Sequence, residues 1–161
     1  MKNGRKIFLE TLTELAEQDA RIILIVGDVG FSFIEQFEER FPIQYLNAGI
    51  GEQNMMGVAV GMAQEGWKPY VYTMINFIVF RPNEQVRNDI CYQNENVKLF
   101  GVEGSEAYKF LGFSHNIKEN EDINILKEFP NINIYKPSEE QEIKEIMLKE
   151  YERKGPSYTR I

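Results

Sequence analysis

Ile22-Ile23-Leu24-Ile25-Val26 is apolar at every position, rich in β-branched side chains, and closed by Gly27-Asp28. A strand with one wet face would alternate apolar and polar residues. An unbroken short run instead suits a strand buried on both faces, as in a parallel sheet covered by helices.

The rest of the chain supplies the alternating pieces. Ile7, Phe8, Leu12, Leu15 and Ala16 recur at helical spacing, predicting an amphipathic helix over 4–18. Ser32 can cap a short helix through Arg40 that Pro42 breaks, and 44–46 reads as a second strand. A helix follows from Glu52 to near Gly66, a natural C-terminal cap, and 69–73 reads as a third strand. Residues 81–93 read as a helix beginning after Phe80, with Pro82 tolerated in its first turn; 97–100 is a fourth strand. Residues 101–120 have no clear periodicity and predict a long loop, which in a compact domain is usually functional or mobile. A short helix over 121–128 and a strand over 132–135 follow. Ser138 and Gln141 form a capping-box pattern opening the last helix, with Ile143, Ile146 and Met147 on its buried face, before a strand at 157–161. This alternation predicts one doubly wound α/β domain over 1–161, its mainly parallel sheet flanked by helices. Ligands in such sheets bind at the carboxyl ends of strands. Those ends are Gly27-Asp28, 47–52, 73–77 and 101–115.

A formal charge of -7 leaves no basic surplus to neutralise phosphates, so nucleic acid is not expected as a general partner. A single cysteine, Cys91, rules out an internal disulfide and fits a buried thiol in a reducing compartment. The basic opening, Lys2 to Lys6, is not followed by an apolar signal core, and no run approaches membrane-spanning length; the chain reads as cytoplasmic.

Chemistry concentrates in Asn47-Ala48-Gly49-Ile50-Gly51-Glu52-Gln53-Asn54-Met55-Met56-Gly57-Val58-Ala59-Val60-Gly61-Met62-Ala63. Glu52 opens a helix that is otherwise small, apolar and uncharged for about three turns, a composition normally buried on most sides. The glutamate either complements the helix dipole at a surface rim or sits sheltered with a task. Gly49 and Gly51 permit close backbone approach to a ligand. Gly57, Ala59, Gly61 and Ala63 permit close approach of another helix or subunit. Gly27-Asp28-Val29-Gly30 lacks the spacing of a phosphate loop or dinucleotide fingerprint, yet Asp28 can line a site. Phe77 and Phe80 are either plain core or a flat surface for a heteroaromatic ring. His115 is the only histidine, and its position after Gly112-Phe113-Ser114 puts it in the long loop at the ligand end. No second histidine or paired cysteine offers a metal-ligand set, and no nucleophile–His–Asp arrangement is legible.

Together these residues resemble the pyrimidine-binding domain of transketolase-like thiamine diphosphate enzymes over nearly the whole chain. Asn47 to Met55 is similar to the family's N-x-G-I-x-E-Q-N-M. Glu84-Gln85-Val86-Arg87-Asn88 resembles the helix after its pyrimidine-stacking phenylalanine, which falls on Phe77. Gly112-Phe113-Ser114-His115 resembles the end of its G-x-x-S/T-H loop, and Pro130-Asn131 and Lys136-Pro137-Ser138 its P-N and R-P-x turns.

The resemblance implies that Glu52 hydrogen-bonds N1′ of the aminopyrimidine and favours the imino tautomer, from which the cofactor deprotonates its own thiazolium carbon and carries a two-carbon ketol unit between sugars. It implies Phe77 as stacking platform, Asp28, Ile50 and Phe80 beside the cofactor, and His115 and Lys136 toward the substrate. Nothing matches the family's diphosphate-binding domain, whose Gly-Asp-Gly motif and downstream asparagine hold Mg²⁺, nor its C-terminal domain. The chain is therefore expected to be one subunit of a split transferase, a heterotetramer with two copies each of this chain and a diphosphate-binding subunit, and inactive alone. Leu111 replaces an acidic residue of the family's sugar-phosphate loop, Val102-Glu103-Gly104 occupies the region of an upstream histidine, and Lys136 replaces arginine, losing its bidentate fork. These departures point to a specialised or modified sugar. The alternatives are a split thiamine-dependent decarboxylase or dehydrogenase subunit, and a non-catalytic partner of the same fold.

Overall fold

The computed structural model describes residues 4–104 and 106–161. Six strands, β1 (Ile22–Val26), β2 (Tyr45–Asn47), β3 (Lys68–Met74), β4 (Lys98–Val102), β5 (Asn133–Tyr135) and β6 (Ser157–Arg160), form one sheet in the order β2-β1-β3-β4-β6-β5. Every pairing is parallel. All five residues of β1 are buried, as their unbroken apolar run requires.

Side chains of β1 alternate between two cores. Ile23 and Ile25 join Met55, Ala59, Val71 and Leu99 on one face of the sheet. Ile22, Leu24 and Val26 join Phe8, Leu12, Tyr70, Phe100 and Met147 on the other. The first face is covered by α3 (Glu52–Gln64), α5 (Glu121–Leu126) and a helical segment from Asn76 to Cys91 that contains α4 (Asn83–Gln85). The second is covered by α1 (Gly4–Ala16), α2 (Glu35–Arg40) and α6 (Glu140–Glu152). The chain leaves β1 for β2 on one side and returns to β3 on the other. That reversal opens a crevice beyond the carboxyl ends of β1 and β3, where such folds bind ligands.

Several local expectations are corrected. Ser32 does not cap α2: its φ is +62°, and its N–H donates instead to the Glu35 carboxylate at 2.7 Å. The last helix is capped one residue later than read, by Glu139 with Glu142 rather than Ser138 with Gln141. The larger change lies after β3. The helix begins at Asn76, not after Phe80, in turns wide enough that the Arg81 N–H reaches the Asn76 carbonyl, five residues back, at 3.2 Å. Phe77 and Arg81 thus share one helical face. The predicted cap at Gly66 does close α3: its φ is +90°, and the following Trp67 N–H donates to the Met62 carbonyl at 3.0 Å.

The stretch read as a long loop contains tight helical turns over Glu106–Ser114, kinked at Gly112. Polar side chains pin it. Asn76 Nδ2 donates to the carbonyls of Phe113 and Asn116 at 2.9 and 3.1 Å. Arg160 holds both flanks, donating to the Glu119 carbonyl at 2.8 Å and the Glu103 carboxylate at 2.7 Å. A Cβ on Gly104 would lie 2.4 Å from the His115 carbonyl, so only glycine permits this close return of the chain. At the opposite, amino end of the sheet, Lys98 and Glu150 form a buried pair, with Asn133 and Tyr135 also donating to the Glu150 carboxylate.

Candidate functional site

Glu52 is the first residue of α3 and only 6% exposed. Its carboxylate accepts a 2.7 Å hydrogen bond from Arg81 Nη1. The Arg81 guanidinium also lies over the Phe77 ring, 3.9 Å from its centroid. Glu52 and Phe77 come from elements either side of β3, so the fold, not the local chain, brings them to one guanidinium.

The line of planar groups continues. The His115 ring meets Phe77 edge-on, with centroids 5.1 Å apart. Its other neighbour is Tyr108, stacked at 5.9 Å. His115 Nδ1 lies 2.8 Å from Ser114 Oγ, and that hydroxyl is 2.7 Å from the Leu111 carbonyl. A hydroxyl has one proton, and the carbonyl can only accept. Ser114 therefore donates to Leu111 and accepts from His115 Nδ1–H. With a proton on Nδ1, Nε2 is the ring nitrogen left to meet a ligand.

Asp28, at the end of β1, adopts φ +52° and is held there by Asn47 at the end of β2. Asn47 Oδ1 accepts from the N–H groups of Asp28 and Gly49 at 3.1 and 3.0 Å, and its Nδ2 donates to the Asp28 carboxylate at 3.3 Å. One side chain thus ties the β1 turn to the turn that launches α3. Asp28 borders a cavity of about 770 Å³ along the carboxyl edge, whose wall includes Arg5, Thr73, Glu103, Lys136 and Arg160. The Thr73 hydroxyl on that wall is buried without a hydrogen-bond partner among the described residues. Lys136 Nζ donates to Asn120 Oδ1 at 2.7 Å. Burial pushes the Tyr72 phenol, also on the wall, up to about 12, so it stays neutral beside Arg5. Glu52 and Phe77 do not line this cavity. Tyr108 does, and through its stack on His115 it joins the cavity to the Phe77 ring.

The sequence-predicted residues therefore divide. Glu52, Phe77 and His115 converge, while Asp28 and Lys136 meet at the adjoining cavity. Phe80 packs against the core cluster beneath α3. Ile50 is 77% exposed beside the start of α3. Arg81, Tyr108 and the pinning residues Asn47 and Asn76 lie outside the sequence-predicted set. Arg81 carries a signal, its four-residue spacing from Phe77 on a helix, but a helix begun after Phe80 divides that spacing between a strand end and a helix start. Cys91 is fully buried, and burial pushes its thiol up to about 12, which removes it as a nucleophile. Among the described residues, no three His, Cys, Asp or Glu side chains are grouped to hold a metal ion, and no helix is long and apolar enough to cross a membrane.

Comparison with known proteins identifies the family of the chain. The chain is 35% identical over 158 residues to an apulose-4-phosphate transketolase subunit of Phocaeicola vulgatus, covering 98% of this chain and 50% of that one. It is 27% identical over 158 residues to a 6-deoxy-6-sulfo-D-fructose transketolase subunit of a Clostridium species, covering 98% of this chain and 48% of the relative. A solved structure described as a split gene transketolase, inactive beta4 tetramer, superposes with a TM-score of 0.85 at 32% identity, covering 98% of this chain and 50% of that one. The chain spans about half the length of these relatives. Residues 1–161 match the family described as transketolase, pyrimidine binding domain. The buried glutamate heading α3, the aromatic ring facing it across a planar cation and the six-stranded parallel sheet that positions both belong to a chain of the transketolase pyrimidine-binding domain family.

Proposed function

We propose that this chain is the pyrimidine-binding part of a split, thiamine diphosphate-dependent transketolase. One observation carries the reading: a nearly buried carboxylate and an aromatic ring hold between them a flat, hydrogen-bond-donating cation. An aminopyrimidine has the same requirements, an edge for Glu52 and a face for Phe77, so the residues present fit the group. When bound, thiamine diphosphate supplies the electron sink for breaking and making the carbon–carbon bond of a ketose.

The chain's own residues bind, orient and move protons. Glu52 exchanges a proton with N1′ of the pyrimidine in a site of low dielectric, where such an interaction is stronger than in water. Phe77 adds a stacking face worth about 0.5–1.5 kcal/mol beyond its burial. His115, whose ring packs against both Phe77 and the cavity-lining Tyr108, is the group we assign to hydrogen-bond a substrate hydroxyl or carbonyl oxygen. Asp28 lies at the boundary of cofactor and substrate space, and Ile50 and Phe80 are the apolar flanks of the cofactor side. Lys136 and Arg5 make the cavity wall suitable for the anionic end of a sugar. The names of two relatives, one a 4-phosphate and one a 6-sulfo sugar enzyme, accord with a specialised anionic sugar as substrate.

In this reading the protein is cytoplasmic, the diphosphate and its Mg²⁺ are held by a second subunit, and two copies of each chain make a heterotetramer. The open face of α3 at Gly57 and Gly61, where an added Cβ would meet nothing within 4 Å, suits the close approach of a second copy. Calorimetry with thiamine diphosphate and Mg²⁺ tests the division of labour. Binding is expected with the diphosphate-binding subunit present and negligible with this chain alone; tight Mg²⁺-dependent binding by this chain alone would overturn it.

A further inference from the structure

We propose that Arg81 is a placeholder for the cofactor's pyrimidine ring. In the free chain its guanidinium fills the gap between Glu52 and Phe77, and the cofactor seats only by displacing it. The proposal rests on the reading of Glu52 and Phe77 as the pyrimidine site.

Space is the first argument. Carbon atoms in contact lie about 3.5–4.0 Å apart. With the guanidinium carbon 3.9 Å from the Phe77 centroid, the two groups are already in contact, and no second flat ring fits between them. The Glu52 oxygen needed by the pyrimidine is engaged as well, at 2.7 Å. Arginine and the cofactor ring cannot occupy this position together.

Chemistry is the second argument. A guanidinium is planar, delocalised and rich in donors along its edge, and it stacks on aromatic faces. An aminopyrimidine carries the same combination of flat face and donor edge. A carboxylate with 6% exposure needs a charged or hydrogen-bonding partner. Arg81 provides one before the cofactor arrives.

Mobility is the third. The Glu52 and Phe77 residues are 6% and 7% exposed, whereas the Arg81 side chain is 44% exposed. The Arg81 backbone is held by its hydrogen bond to Asn76, so only the flexible side chain must turn outward. Its contacts with Glu52 and Phe77 therefore stabilise the cofactor-free state alone. Removing them raises the free energy of that state and leaves the loaded one unchanged, so affinity must rise.

The test measures thiamine diphosphate affinity of this chain assembled with its diphosphate-binding subunit, by calorimetry, for wild type, Arg81→Ala, Arg81→Lys, Phe77→Ala and Glu52→Gln. Arg81→Ala is expected to tighten binding roughly 3- to 30-fold, or about 0.7–2 kcal/mol at 1.4 kcal/mol per decade. Arg81→Lys, which keeps the charge but loses the flat fork, should fall between. Millimolar methylguanidinium should weaken cofactor binding to Arg81→Ala by refilling the gap, with much less effect on wild type. A merely structural arginine would show no such competition. Unchanged or weaker binding by Arg81→Ala, with Phe77→Ala still weakening it, overturns the placeholder and leaves the pyrimidine site standing. If neither Phe77→Ala nor Glu52→Gln alters cofactor affinity, the site itself is misassigned and the placeholder falls with it.

Discussion

Replacing Glu52 by Gln separates the chemistry of this carboxylate from its contribution to the fold. The amide keeps the size and one hydrogen-bond acceptor, but it cannot exchange a proton with N1′. Acid–base contributions of this kind are about two to four decades in rate, or roughly 3–5 kcal/mol of activation free energy. The structural cost is smaller. The one ion pair lost is with Arg81, whose side chain is 44% exposed, and the amide oxygen can still accept the Arg81 hydrogen bond. A net loss of about 1 kcal/mol is expected for such a change, so the melting temperature should move by about 4 °C or less. The assay is hydrogen–deuterium exchange of the thiazolium C2 proton, followed by NMR in the complex with the diphosphate-binding subunit. Exchange should slow by at least about a hundredfold, with assembly and melting nearly unchanged. Near-wild-type exchange in Glu52→Gln would refute the assignment of Glu52 as proton carrier. Slow exchange accompanied by loss of assembly would assign the glutamate to the scaffold.

Two further pairs of variants follow. His115→Ala should raise the KM for the donor sugar with little effect on cofactor affinity, and Phe77→Ala should do the reverse; a donor titration and a cofactor titration distinguish them, and unchanged donor kinetics in His115→Ala would return His115 to the loop surface. Glu150→Leu should cost about 3–5 kcal/mol in urea unfolding, because it leaves the buried Lys98 ammonium with the Arg153 and Gly155 carbonyls but no counter-charge; a loss below about 1 kcal/mol would refute the counter-charge as the source of the stabilisation. Burial pushes the Glu150 carboxyl up, but hydrogen bonds from Arg153, Asn133 and Tyr135 and the Lys98 charge outweigh it and hold it below the usual carboxylate range. Its stabilisation is therefore complete above the unfolded value of 4.5 and lost as pH falls below it toward the folded value. Glu150→Gln should flatten that acid limb of the stability profile.

The layered fold was legible because it depends on patterns that burial enforces. A short, β-branched apolar run such as Ile22 to Val26 fits best in a sheet covered on both faces. Glu52 was legible because a charge at the head of a small, apolar helix is conspicuous, and Phe77 and His115 followed from the motifs around them. What was missed depends on choices between near-equivalent local partners. Ser138 and Glu139 can each cap the last helix, and the Glu142 carboxylate, which accepts from the N–H groups of both, completes the box with Glu139. Ser32 gave up its capping role when Glu35 turned back to its N–H. The widened turns after β3 displaced the start of that helix, and with it the relation of Arg81 to Phe77. The contact between Arg81 and Glu52 joins two elements separated by β3, and no local spacing encodes it.

The position of β6 also governs the order in which the domain can assemble. β6 lies between β4 and β5, so Lys98 on one side and Asn133 on the other both pair with Ser157. As the chain emerges from the ribosome, β2, β1, β3 and β4 can already associate, because each has its neighbour. β5 has none until residues 157–160 are made. Until then β4 presents an open, apolar hydrogen-bonding edge, the kind that pairs with other chains. Arg160, which clamps both flanks of the turns carrying His115, is synthesised in the same late strand. The last strand to enter the sheet thus closes its interior and secures the His115 loop in one step, so a nascent chain halted before it would be both sticky and without an organised site.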